Sequence, residues 1–220
     1  MMISTTRGLA LAGLLIFSSA SAAQGEEQKP SLTILPPEIT MDIPMPVQGG
    51  DLALLLAQAS QGNSLSQLKE AAVLRYKQHL ERELTQQLRE FFTDEEIPLV
   101  ERQGLLSLRN TLDITVVKHF SSLQSKKDHE LEKGTVELSG DYHYRLEHIS
   151  GSAMREQQVN ISELKIREKY RVVTPNDGSE IENTTDRAIE QALSELVEQL
   201  LERIEDDLEA DELESFARAT

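Results

Sequence analysis

The chain has no cysteine and no tryptophan, and among its 220 residues only five are Phe and four are Tyr. Without cysteine there can be no disulfide framework, no thiolate nucleophile and no cysteine-based zinc site. With few aromatic rings, the core has to be built from Leu, Ile and Val. Basic residues are also scarce: 22 Lys and Arg stand against 38 Asp and Glu, a formal net charge of −16. Averaged over the surface, that charge repels nucleic-acid phosphates and anionic lipid headgroups and favours cationic partners or divalent ions. No nucleic-acid partner is expected. No apolar run reaches the roughly 20 residues needed to span a bilayer.

The first 23 residues are organised differently from the rest. Arg7 supplies a positive start, Gly8 to Phe17 form a short apolar run, and small residues follow to Ala20-Ser21-Ala22-Ala23. This is the order of a secretory signal peptide, with cleavage expected after Ala22 or Ala23. The absence of cysteine near the cut argues against a cysteine-linked lipid anchor. The mature chain is therefore expected to be periplasmic or secreted, with no stable membrane anchor.

Residues 24–50 carry five of the seven prolines and are expected to be extended. Ile39, Met41, Ile43, Met45 and Val47 alternate there as on a strand with one apolar edge, which suits a strap laid in a groove of its own domain or of a partner. Gly49-Gly50 ends this zone. Leu52 to Ala59 read as a short helix behind Asp51. A long helix to about Phe92 then follows, because Leu68, Ala72, Tyr76, Leu80, Leu84 and Leu88 recur every fourth residue.

Over 97–133 the pattern predicts a short helix to about Ser107 and a strand over 110–118, where Ile114, Thr115, Val116 and Val117 are β-branched. Residues 134–173 predict a long hairpin. Val136, Leu138, Tyr142, Tyr144 and Leu146 share one face, and Leu164, Ile166, Tyr170 and Val172 share a face on the return. Val159 and Ile161 have the opposite parity, so a bulge is expected near Ser162. Pro175-Asn176-Asp177-Gly178 reads as a turn. From Thr184 or Thr185 onward, Ile189, Ala192, Leu193, Leu196, Val197, Leu200 and Ile204 form the stripe of a closing amphipathic helix.

Assembled, these elements predict an α+β domain over 51–205, with long helices on one face of a small, about three-stranded antiparallel sheet. An extended segment precedes it, and a tail over 206–220 follows. Between 180 and 214 there are 14 acids and two basic residues. The tail is expected to fray, because like charges three or four positions apart oppose a helix.

Motifs that would carry chemistry fail on spacing. His129-Glu130 opens like a zincin, but Lys133 stands where the second histidine belongs. Lys133-Gly134-Thr135 reverses the order of a P-loop. Ser152 lacks the frame of a nucleophile elbow, and the acid clusters lack the alternation of a calcium loop. His143, Arg145 and Glu147 share one strand face, with His148 beyond. His143 and Glu147 are the candidates for proton transfer, although ordinary exposed strand residues look the same. Met41 and Met45, with Met154, are candidate thioether ligands for Cu(I), although apolar packing uses the same side chains.

No cofactor is expected. By elimination the sequence points to an exported, non-catalytic envelope protein that binds another envelope protein bearing a basic surface. Asp206, Asp207, Glu209, Asp211 and Glu212 are the candidate contact residues. A carrier of a small apolar ligand or lipid and a hydrolase with a site on the 143–148 strand are the alternatives.

Overall fold

The computed structural model describes residues 29–45 and 65–218. The leader over 1–23, Gly49-Gly50 and the short helix expected over 52–59 lie outside them.

The longest local signal builds the centre of the fold. Strands β3 (Leu106–Ser125) and β4 (His129–His148) pair antiparallel along nearly their whole lengths. The chain then returns along the other edge of β4 in two pieces. Strand β5 (Ala153–Asn160) pairs the half of β4 near its end, and β6 (Arg167–Pro175) pairs the half near its start. Between them lies a 3-10 turn, Ile161–Leu164. The Asn160 side chain accepts from the Ser162 N–H at the start of this turn, and Lys165 closes it with a φ of 57°. The parity change near Ser162 is therefore made by a full turn that resets the strand. Its two apolar anchors, Ile161 and Ile166, are both fully buried.

The sheet is larger than the three antiparallel strands expected, and it is mixed. It has seven strands among the described residues, in the order β1, β3, β4, β6, β7, with β2 also on β3 and β5 also on β4. The proline-rich segment supplies two of them. Strand β1 (Leu32–Ile34) and β2 (Glu38–Asp42) both run parallel to β3, separated by Pro36-Pro37. Proline cannot donate to a ladder, so this pair interrupts the strand without ending the strap. The strap is parallel because a long helix lies between it and β3 and carries the chain back to the same end of the sheet. A two-residue strand, β7 (Glu182–Asn183), closes the far edge on β6.

The second correction concerns residues 97–133. No helix forms before Ser107, and the strand expected over 110–118 extends to Leu106–Ser125. Leu106, Leu108, Leu112, Ile114 and Val116 fit a strand, and Leu105, Leu108, Leu112, Val116 and Leu123 nearly fit a helix. Pairing with nineteen residues of β4 decides for the strand, since tertiary hydrogen bonding overrides weak local preference.

Two long helices supply most of the remaining core. Helix α1 (Leu65–Asp94) buries Ala72, Tyr76, Leu80, Leu84, Leu88 and Phe92. Helix α2 (Thr185–Leu208) buries Ala188, Ile189, Ala192, Leu193, Leu196, Val197, Leu200, Ile204 and Leu208. It packs on β4 and β6 and beside α1. These side chains meet alternate strand residues, among them Leu108, Leu112, Ile114, Val136, Leu138, Tyr142, Tyr144 and Leu146, in one continuous core.

The acidic end, expected to fray, is placed as a helix. After a break at Glu209, whose backbone is extended, helix α3 (Ala210–Arg218) follows. The Glu95 carboxylate accepts from the Ala210 N–H at 3.1 Å, satisfying one of the donors a helix start leaves open. Leu208 and Leu213 are both fully buried. Apolar burial of about 2 kcal/mol per leucine outweighs repulsions of a few tenths of a kcal/mol per like-charged pair.

Candidate functional site

His143, Arg145 and Glu147 alternate along β4 between buried Tyr142, Tyr144 and Leu146. They therefore stand on the face of the sheet opposite the core. His143 Nε2 lies 2.8 Å from Glu156 of the adjacent strand, and Arg145 Nε lies 3.0 Å from Glu147. His148 turns away to Ser150 Oγ at 2.8 Å. His143 and Arg145 each meet a carboxylate on an open face. Glu147 is held by Arg145 and not aimed at His143.

The three methionines are kept apart by the topology. Met41 is buried on β2, Met45 is exposed beyond the end of that strand, and Met154 lies in β5. Strands β3 and β4 stand between Met41 and Met154, a separation of about 14 Å at the usual strand spacing. Among the described residues, no group of three His, Asp or Glu side chains converges to hold a metal ion.

The five acids at the chain's end fall into two kinds. Asp206, Glu209, Asp211 and Glu212 are exposed. Asp207 is engaged within the chain, accepting from the Tyr144 hydroxyl at 2.8 Å and pairing with Arg155. Burial and then the Asp207 carboxylate push the Tyr144 hydroxyl well above its ordinary range, while Asp207 holds the Arg155 guanidinium more firmly protonated. This contact fastens the end of α2 to β4 and β5.

A larger acidic feature lies between the helices. Helices α1 and α2 run parallel, as three cross-contacts show in register. Asp186 accepts from Arg75 and from the Tyr76 hydroxyl, each at 2.7 Å. His79 Nε2 sits 3.1 Å from Ser194 Oγ and 3.3 Å from the Glu190 carbonyl. Glu95 meets Ala210. Between these ties a groove of about 420 Å³ opens, lined by Glu83, Gln86, Gln87 and Glu90 of α1 and by Glu198 and Glu205 of α2, with Phe91 and Leu201 also in its wall. A second depression of about 350 Å³ lies at Glu190, Glu195 and Glu198 beside His79 and Arg187.

Among the described residues none of Glu83, Glu90, Glu198 and Glu205 is ion-paired, and Glu90 accepts from Gln86 at 2.9 Å. The sequence showed these acids only as polar faces of separate helices. Their convergence depends on how the sheet seats the two helices. The one local hint is that each pair is spaced seven residues apart, which repeats a helical face.

The groove is open along its length, its walls carry like charge, and Phe91 and Leu201 offer partly buried apolar contact.

No family model and no curated protein matches the chain. A hypothetical protein, CT253, from Chlamydia trachomatis is 8% identical over 80% of this chain and 96% of its own, with a TM-score of 0.32. A minor lipoprotein from Acinetobacter baumannii is 12% identical over 80% of this chain and 95% of its own, with the same TM-score of 0.32. A structure described as a neuraminyllactose-binding hemagglutinin homolog from Helicobacter pylori is 15% identical over 88% of this chain and 95% of its own, with a TM-score of 0.50. It is with this last structure that the chain shares its fold.

Proposed function

We propose that the chain is an exported protein of the bacterial cell envelope that acts by binding, holding a cationic segment of a partner protein in the groove between α1 and α2. The observation that carries the reading is the groove itself, with Glu83 and Glu90 on one wall and Glu198 and Glu205 on the other, none of them neutralised by a cation among the described residues. Four carboxylates facing one channel repel one another, and an entering Lys or Arg side chain relieves that repulsion. Phe91 and Leu201 add an apolar contact for the stem of such a side chain. The leader over 1–23 supports the export half of the reading. The Helicobacter pylori protein that shares the fold is itself described as a homolog of a neuraminyllactose-binding hemagglutinin.

The test places a photo-crosslinking residue at Gln87 in cells that make the protein, with a second at Thr115 on the opposite face as the control. A crosslinked partner is expected from position 87 only. It should fade as salt rises and disappear in Glu198→Lys/Glu205→Lys. Crosslinks that survive the charge reversal, or that form equally from Thr115, would sink the proposal. Fractionation tests the address separately: the exported chain should begin at Ala23 or Gln24, and an unprocessed chain in the cytosol would refute it.

A further inference from the structure

The negative charge is not spread evenly. On the sheet face away from the core, β4 and β6 set Lys133 opposite Arg171, Thr135 opposite Lys169 and Glu137 opposite Arg167. Lys133, Arg167, Lys169 and Arg171 are all exposed. Arg167 is paired with Glu137 at 3.1 Å and Arg171 with Glu182 at 2.5 Å. Lys133 and Lys169 have no carboxylate partner among the described residues. Two exposed lysines of the hairpin turn, Lys126 and Lys127, continue the strip. Half-buried Val117, Leu131 and Val173 lie on the same face.

Like charges directly opposite on neighbouring strands oppose pairing. The arrangement of Lys133 and Arg171 with Lys169 diagonal is therefore one that folding alone does not favour. Lysines predominate among the uncompensated cations of this face. Lysine attracts anions as a point charge and does not demand the planar, bidentate geometry arginine provides. Uncompensated point charges spread along one exposed sheet face suit an extended array of anions better than one discrete ligand. We infer that this strip docks the protein on an anionic lipid surface, through Lys133 and Lys169 with Lys126 and Lys127 beside them. The average repulsion expected from a net charge of −16 is overcome locally. The acids of the α1 and α2 groove lie on the other side of the molecule, more than a Debye length of about 8 Å away at physiological salt. Docked in this way, the protein holds its acidic groove away from the lipid. The inference stands on the strip alone and does not depend on what fills the groove.

The test is co-sedimentation of the full chain with phosphatidylglycerol vesicles and with phosphatidylcholine vesicles. Any apolar contribution of the leader acts on both lipids alike, so the difference reads the charge. Binding should favour phosphatidylglycerol and weaken as salt rises from about 50 to about 300 mM. Each lysine lost should weaken it about five-fold, so Lys133→Gln/Lys169→Gln should lose about 25-fold. Lys133→Arg/Lys169→Arg should retain binding, as should Lys77→Gln/Arg82→Gln on α1. Equal binding to both lipids, or an unchanged affinity in the Gln pair with its melting temperature intact, overturns the inference. So does loss of self-association in vesicle-free sedimentation by the Gln pair while lipid binding stays the same, which would make the strip a contact between copies.

Discussion

The buried amide of Asn110 offers the sharpest check on how the core is built. Asn110 is 1% exposed and Tyr142 is fully buried. The Tyr142 hydroxyl donates to Asn110 Oδ1 at 2.7 Å, while Asn110 Nδ2 has no partner among the described residues. The native core thus carries one orphaned polar group at this site. Tyr142→Phe strands Oδ1 as well, making two. Asn110→Val removes both amide atoms but strands the hydroxyl, leaving one. The double variant leaves none. An orphaned buried group costs about 1–3 kcal/mol, whereas removing both partners together is nearly neutral or stabilising.

Tyr142→Phe alone should therefore lose about 1–3 kcal/mol, equivalent to roughly 2–4 °C in Tm per kcal/mol at this size. Asn110→Val should cost less, helped by a β-branched side chain of similar bulk within a strand. The double variant should be at least as stable as Tyr142→Phe and close to the parent. Urea denaturation with an unchanged m-value measures all three. A double variant whose loss equals the sum of the two singles would refute the reasoning, since it would mean the two groups do not serve each other.

Other outcomes follow from the same geometry. Each of the four tyrosines, Tyr76, Tyr142, Tyr144 and Tyr170, has its hydroxyl pushed above its ordinary range, first by burial. A folded-state value raised above the unfolded one gives stability that is complete below pH ~10 and lost as pH rises past it. Tyrosinate absorbance, uncluttered by tryptophan, should appear only together with unfolding, and a tyrosine titrating near pH 10 in the folded chain would contradict this. A Cβ at Gly134 would lie 2.4 Å from the Tyr170 ring and 2.2 Å from the His119 carbonyl. Gly134→Ala should therefore displace the ring from its 2.9 Å bond to Glu132 and lower stability by about 1–3 kcal/mol by calorimetry. Leu213→Ala should cost about 2–5 kcal/mol and raise hydrogen exchange over α3 first, and unchanged exchange there would deny that α3 is docked.

How far these features could be read from the sequence differed by element. The four-residue recurrence from Ala72 to Leu88, the alternation from Val136 to Leu146 and the stripe from Ile189 to Ile204 each extend over many residues and bury the side chains they mark. A long periodic signal is legible because every turn or pleat repeats the same vote. The parity change at Val159 and Ile161 was legible as an irregularity, though not as a 3-10 turn. The run from Leu105 to Leu123 fits a strand's alternation and nearly fits a helix as well. Over the tail from Asp206 charge repulsion is visible locally, whereas the burial of Leu208 and Leu213 depends on distant elements.

By itself, then, the sequence determined which side chains turn inward along α1, β4 and α2, because helix and strand periods are local and burial is what selects for them. Tertiary structure decided the rest. Whether the proline-rich strap joins a sheet depends on the open edge of β3, and its parallel direction depends on the helix that intervenes. The meeting of Glu83 and Glu90 with Glu198 and Glu205, and of Lys133 with Lys169 and Arg171, is set by helix seating and strand register. Those are properties of pairing between segments, which no single segment encodes.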